Sequence, residues 1–180
     1  MKRFIALFSL LFSLFPLSVG ASIIAMTAQL DGLQETPPNA SPATGSADLS
    51  FDDVSHVLTW DITFSGLVGG PPIAAHFHGP TNPGDPAGPG IASPIRVNIG
   101  DISGLASPMI GDFDLDDLTN SAPNTSNLLN GLWYINIHNA EFPGGEIRGQ
   151  VVRVPEPASL ALLGIGVLIL ALTRNRHRRM

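Results

Sequence analysis

Val57-Leu58-Thr59-Trp60-Asp61-Ile62-Thr63-Phe64-Ser65 decides the fold class. Leu58, Trp60, Ile62 and Phe64 fall at every second position, with Thr59, Asp61, Thr63 and Ser65 between them. Side chains alternate sides with this period only in an extended chain, and one apolar face marks a half-buried strand. Leu49 and Phe51 carry the alternation back across the short polar connection 52–56, which predicts a hairpin. Further along, Ile95, Val97 and Ile99 alternate with Arg96 and Asn98. Trp133, Ile135 and Ile137 alternate with Tyr134, Asn136 and His138, and Ile147, Gly149 and Val151 with Glu146, Arg148 and Gln150. Residues 24–30 form another strand whose inward face the sequence leaves open.

Turn-formers separate these segments. Fourteen of the twenty-nine residues in 66–94 are Gly or Pro, which excludes a regular helix there. Ala75-His76-Phe77-His78 alternates within that stretch and reads as one short strand pinning long loops. Residues 124–129 read as a polar loop, and residues 113–118 as a single helical turn. Many short strands joined by Gly/Pro turns predict an all-β sandwich or barrel, in one domain and without a visible repeat.

Both ends lie outside that domain. Lys2 and Arg3 precede an apolar stretch over residues 4–17, and Val19-Gly20-Ala21 supplies small residues for cleavage, so residues 1–21 read as a secretory signal peptide. At the other end, residues 158–173 are apolar and uncharged, with six Leu, two Ile and one Val. No polar face runs along them, as one would in a helix packed on a soluble core. Sixteen residues fall below the roughly twenty that span a bilayer comfortably. Arg174, Arg176, Arg178 and Arg179 follow, and this basic cluster holds the C-terminus on the cytoplasmic side. Pro155-Glu156-Pro157, the apolar segment and the arginines together resemble the PEP-CTERM sorting signal of Gram-negative bacteria. That resemblance implies the Sec export machinery and an exosortase as partners. It also implies a transient inner-membrane anchor over 154–180, and delivery to the outer surface or extracellular matrix.

The exported part, residues 22–153, is long enough for one real core. Extended to residue 154, it holds three of the nine Lys and Arg but fourteen of the fifteen Asp and Glu, a net charge of −11. Such a surface repels phosphate backbones, so nucleic acid is excluded as a partner; cations and basic surfaces fit it. No cysteine is present, although the route permits disulfides. Stability rests on packing or on a bound metal.

His76-Phe77-His78-Gly79-Pro80 and the run from Trp133 through Phe142-Pro143-Gly144-Gly145-Glu146-Ile147-Arg148-Gly149-Gln150 resemble the CHRD domain, named for chordin. The opening Leu30-Asp31-Gly32-Leu33-Gln34-Glu35 is family-like too. The resemblance implies an immunoglobulin-like or related β-sandwich and assigns little biochemistry, since fold does not supply function.

Three histidines carry the chemistry that remains. His76 and His78 leave one face of a strand about 6–7 Å apart. His138 ends another strand, on the face of Tyr134 and Asn136. If the strands are neighbours, the three imidazoles converge on one zinc or copper ion, with Glu141 or Glu146 as oxygen ligand. The competing reading makes these histidines hydrogen-bonding partners for loop backbone, with Arg148 pairing Glu146 or Glu141. A His-x-His strand is similar to copper-zinc superoxide dismutases, but four exported histidines are too few for a bimetallic site. Asp112, Asp114, Asp116 and Asp117 start like a calcium loop, yet Asp117 stands where glycine is needed and Pro123 where glutamate is needed. Asp114 is instead expected to cap the turn at Leu115. No nucleophile elbow, phosphate loop or cysteine nucleophile is present. The reading is therefore a non-enzymatic surface or matrix protein that binds protein, polysaccharide or ions, with a metalloprotein as the alternative.

Overall fold

The computed structural model describes residues 22–80, 93–119, 121–155 and 165–166. The signal peptide, residues 81–92, Glu156, Pro157, Arg174, Arg176, Arg178, Arg179 and nearly all of the apolar segment 158–173 lie outside these. Among the described residues no helix is long and apolar enough to cross a membrane.

Among the described residues nine strands form the body: β1 (Ile23–Asp31), β2 (Thr44–Asp52), β3 (Val57–Ser65), β4 (Pro72–His78), β5 (Ile95–Asn98), β6 (Met109–Asp114), β7 (Tyr134–Asn139), β8 (Ile147–Gln150) and β9 (Val152–Arg153). They make one sheet in the order β5-β4-β7-β8-β1-β2-β3-β6, with β9 also on β1, and every pairing is antiparallel. The expected all-β architecture holds, as a sheet curled nearly into a barrel. The hairpin is as expected: Leu49 faces Trp60 and Phe51 faces Leu58.

The sheet closes around its apolar face. Trp60 of β3 and Phe77 of β4 belong to strands far apart in the sheet order, yet their rings meet edge-on at 5.3 Å. Only curling brings them together. Met26, Ala28 and Leu30 settle the inward face of β1, and Ile135, Ile137 and Ile147 complete the wall. Each of the larger side chains among them, such as Met26, Leu30 and the three isoleucines, contributes about 1.5–3 kcal/mol by leaving water.

Three local expectations need correction. Ile99 does not continue its strand; it opens a short helix, α1 (Ile99–Ser103), which packs on both β4, one strand in from one edge of the sheet, and β6 at the other edge. Trp60 Nε1 donates to Ser103 Oγ at 2.9 Å, tying that helix to the interior. Met109 to Asp114 forms a strand where the sequence reading began a helical turn at Phe113. Gly111 interrupts its inward apolar series, because a Cβ there would lie 2.8 Å from Trp60 Cζ2 and 2.6 Å from Ser103 Oγ. Finally, residues 124–129 are helical, within α2 (Ser121–Leu129). Pro123 falls in its first turn, where a missing N–H costs nothing. One narrow stripe docks the helix: Leu128 is fully buried, and Asn124, one turn earlier, donates to the Thr119 carbonyl. So polar a helix conceals its period.

Two members of the acidic cluster hold structural roles. The Asp114 carboxylate accepts from the Asp116 N–H and caps the 3-10 turn 115–117, as expected. Asp116 pairs with His56 at 3.0 Å.

Candidate functional site

The site sits on the side of β4, β7 and β8 turned away from the apolar interior. The register sets His76 beside Asn136, His78 beside Tyr134, and Asn136 beside Arg148. Residues at alternate positions share a face, so these side chains form a polar patch backed by the core. Unlike an ordinary outward face it is covered: Tyr134, Asn136, His78 and Arg148 are all buried.

Two loops supply the cover. After β1, the Asp31 carboxylate accepts from the Gln34 N–H at 3.0 Å, winding a 3-10 turn that directs residues 35–41 across the patch. Residues 141–145 approach from the end of β7. Glu146 fastens both. Its carboxylate accepts from Ser41 Oγ at 2.5 Å, Val68 N at 2.7 Å, Gly69 N at 3.3 Å and Asn139 Nδ2. Asn139 Oδ1 in turn accepts from Phe142 N at 2.9 Å, and Asn39 Nδ2 donates to the Glu146 carbonyl at 3.0 Å. Burial pushes the Glu146 carboxyl upward, but these hydrogen bonds outweigh it and hold the group below the usual carboxylate range. Glu146, expected as a metal ligand, is thus a fastener of three loops; Glu141 is exposed at the rim.

The three histidines do come together. Their nearest ring nitrogens all lie within 4.8 Å of one another, and His76 Nδ1 is 3.1 Å from His138 Nε2. Two rings are held from behind: His78 Nδ1 donates to the Ser93 carbonyl at 2.8 Å and His138 Nδ1 to the Pro143 carbonyl at 3.1 Å. These bonds fix the tautomer, leaving each Nε2 as a lone pair. His78 Nε2 is buried and has no hydrogen-bond partner among the described residues. Burial and then the neighbouring charges, against the Ser93 carbonyl, lower His78 to about 4. Burial and His76 do the same to His138, also to about 4, while burial lowers His76 against the pull of Asp101. All three rings are neutral at pH 7, the form that binds metal.

Around them the polar packing is dense. His78 stacks on Tyr134 at 5.0 Å, and the Arg148 guanidinium carbon lies 3.6 Å from the centre of that ring. Arg148 also donates to Thr36 Oγ1 at 3.4 Å, which fastens β8 to the loop after β1, where the sequence reading expected Glu146 or Glu141 as its partner. A cavity of about 610 Å³ opens beside the cluster, lined by His78, His138, Tyr134, Asn136, Glu35 and both covering loops. Glu35 Oε1 and Asn136 Oδ1 are buried and lack hydrogen-bond partners among the described residues. Burial raises the Glu35 carboxyl to about 7, with Arg148 opposing. Gly145, at φ 124°, lets the cover come this close; a Cβ there would lie 2.1 Å from Asn136 Oδ1 and 2.5 Å from Glu35 Oε1. Glu35 is a buried, cavity-lining acid that the sequence did not single out. Lone acids are common in this chain, and only its burial marks this one.

Comparison with known proteins gives two matches, one on each side of residue 152. Residues 153–179 match the PEP-CTERM protein-sorting motif, which makes the chain an exported protein sorted to the surface by an exosortase. No curated protein and no solved structure matches it. Residues 26–151, more than half of the sequence, match the CHRD domain, and the chain belongs to that family.

Proposed function

We propose that this exported chain works at the cell surface as a non-enzymatic binding protein, and that its specific ligand is one transition-metal ion held by His76, His78 and His138. Residues 1–21 are removed as a signal peptide, residues 22–153 form the working domain, and residues 154–180 anchor it until processing near Pro155. The convergence of three imidazole nitrogens within 4.8 Å, two of them aimed by backbone carbonyls, carries this reading. In a tetrahedral zinc site, nitrogens roughly 2.0–2.1 Å from the ion lie roughly 3.3 Å apart. In the ion's absence His76 Nδ1 donates to His138 Nε2 at 3.1 Å, close to that spacing; the ion would take the place of that proton, and His78 would close in from within 4.8 Å. Imidazole donors suit zinc or copper. A wider role in binding surface protein or polysaccharide rests on the acidic exported surface and the sorting tail.

Full-length protein purified in mild detergent is expected to bind zinc or copper at one ion per chain in calorimetric titration. His76→Ala/His78→Ala is expected to lose that binding while keeping the parent's circular dichroism. Equal metal affinity in parent and variant would assign the histidines to loop fastening alone.

A further inference from the structure

We propose that an ion in this cluster keeps one coordination position open to the adjoining cavity, and that this position takes a small protic ligand. The ligand is one that gives a lone pair to the metal and offers an N–H or O–H on its far side. This rests on the metal reading above and concerns what the bound ion does.

The donor count comes first. Among the described residues, the group able to hold an ion contains three imidazoles and no carboxylate. Glu146, the carboxylate placed nearby in sequence, is committed to four hydrogen bonds with Ser41, Val68, Gly69 and Asn139. Withdrawing it would release three loops at once. Three protein ligands with a fourth position left to solvent or substrate is the pattern of open zinc sites, while structural sites close with four.

The surroundings then select the ligand. His78 and His138 border the cavity of about 610 Å³, so a fourth ligand approaches from that side. Its wall carries two buried acceptors, Glu35 Oε1 and Asn136 Oδ1, both lacking a hydrogen-bond partner among the described residues. They are 5% and 3% exposed. Orphaned buried acceptors cost free energy, and a donor on the incoming ligand recovers it. Pro37, Pro38, Phe142 and Pro143 give the wall an apolar part that favours a compact ligand body. Water satisfies these terms at rest. An imidazole does so better, binding the metal through one nitrogen and donating from the other.

Cobalt-loaded full-length protein tests this through its visible d–d absorption. Imidazole and N-methylimidazole are titrated separately; the methyl group removes only the far-side N–H, and the cavity has room for it. Both are expected to shift the spectrum, with imidazole binding on the order of tenfold tighter, the worth of one hydrogen bond. If cobalt binds but neither ligand changes the spectrum, the coordination shell is closed and this inference fails while the metal reading stands. Equal affinities for the two ligands would remove the role of Glu35 and Asn136. Failure to bind cobalt, zinc or copper would overturn the metal reading and this inference together.

Discussion

Replacing Glu35 by glutamine should change how stability responds to pH, and the sign follows from burial. In the fold this carboxyl titrates at about 7, against an ordinary value of 4.5. Between those values the folded chain holds a proton that the unfolded chain has released. Its contribution is therefore fully present below 4.5 and is lost as pH rises through the folded value near 7. Each pH unit of that window costs about 1.4 kcal/mol, so the whole is on the order of 3 kcal/mol. Arg148 is already included, since its charge is what keeps the shift from being larger. Other groups titrate over the same range, so the quantity to measure is a difference. Urea unfolding of parent and Glu35→Gln at about pH 4 and about pH 8 provides it. The glutamine stays neutral throughout, and its advantage over the parent should grow by about 3 kcal/mol from the lower pH to the higher. Parallel stability curves would mean that Glu35 is solvated in solution, and that the 35–41 loop does not cover the polar patch.

Two further substitutions probe the fasteners. Glu146→Ala strands two backbone N–H groups, the Asn139 amide and the Ser41 hydroxyl, and should cost about 3–5 kcal/mol in urea unfolding; a loss under about 1 kcal/mol would show the three loops to be held by something else. Gly111→Ala pushes a methyl against Trp60 and Ser103 and should cost about 1–3 kcal/mol by overpacking. That penalty should shrink when Trp60→Leu is added, and a purely additive double mutant would exclude the clash as its cause.

How much of this was legible beforehand depends on whether a residue's role is set by its chain neighbours or by distant ones. Leu58, Trp60 and Ile62 announce their strand because alternation is a property of consecutive residues. The apolar series of β7 and β8 does the same. The inward face of β1 was not readable: Ile24, Met26, Ala28 and Leu30 offer one apolar series, but Ile23 and Ala25 blur it. The strand β6 was hidden because its central inward residue is Gly111, and that glycine is explained only by Trp60, which reaches it from another strand. The helix α2 was hidden because one buried leucine and one buried asparagine suffice to dock it.

For the site, sequence alone determined that His76 and His78 share a face and that His138 lies on the face of Tyr134 and Asn136. It also determined that the chain is exported, because the terminal signals are linear and are read before or apart from folding. Tertiary structure alone decided that β4 lies beside β7, which puts the third imidazole within reach of the other two. It turned Glu146 from an expected ligand into a fastener, and made Glu35 a buried wall of the cavity. Both depend on residues more than a hundred positions apart meeting across the sheet, such as Ser41 with Glu146 and Thr36 with Arg148. Local periodicity carries no information about such meetings. They follow from strand order and from the free energy of burying one shared core.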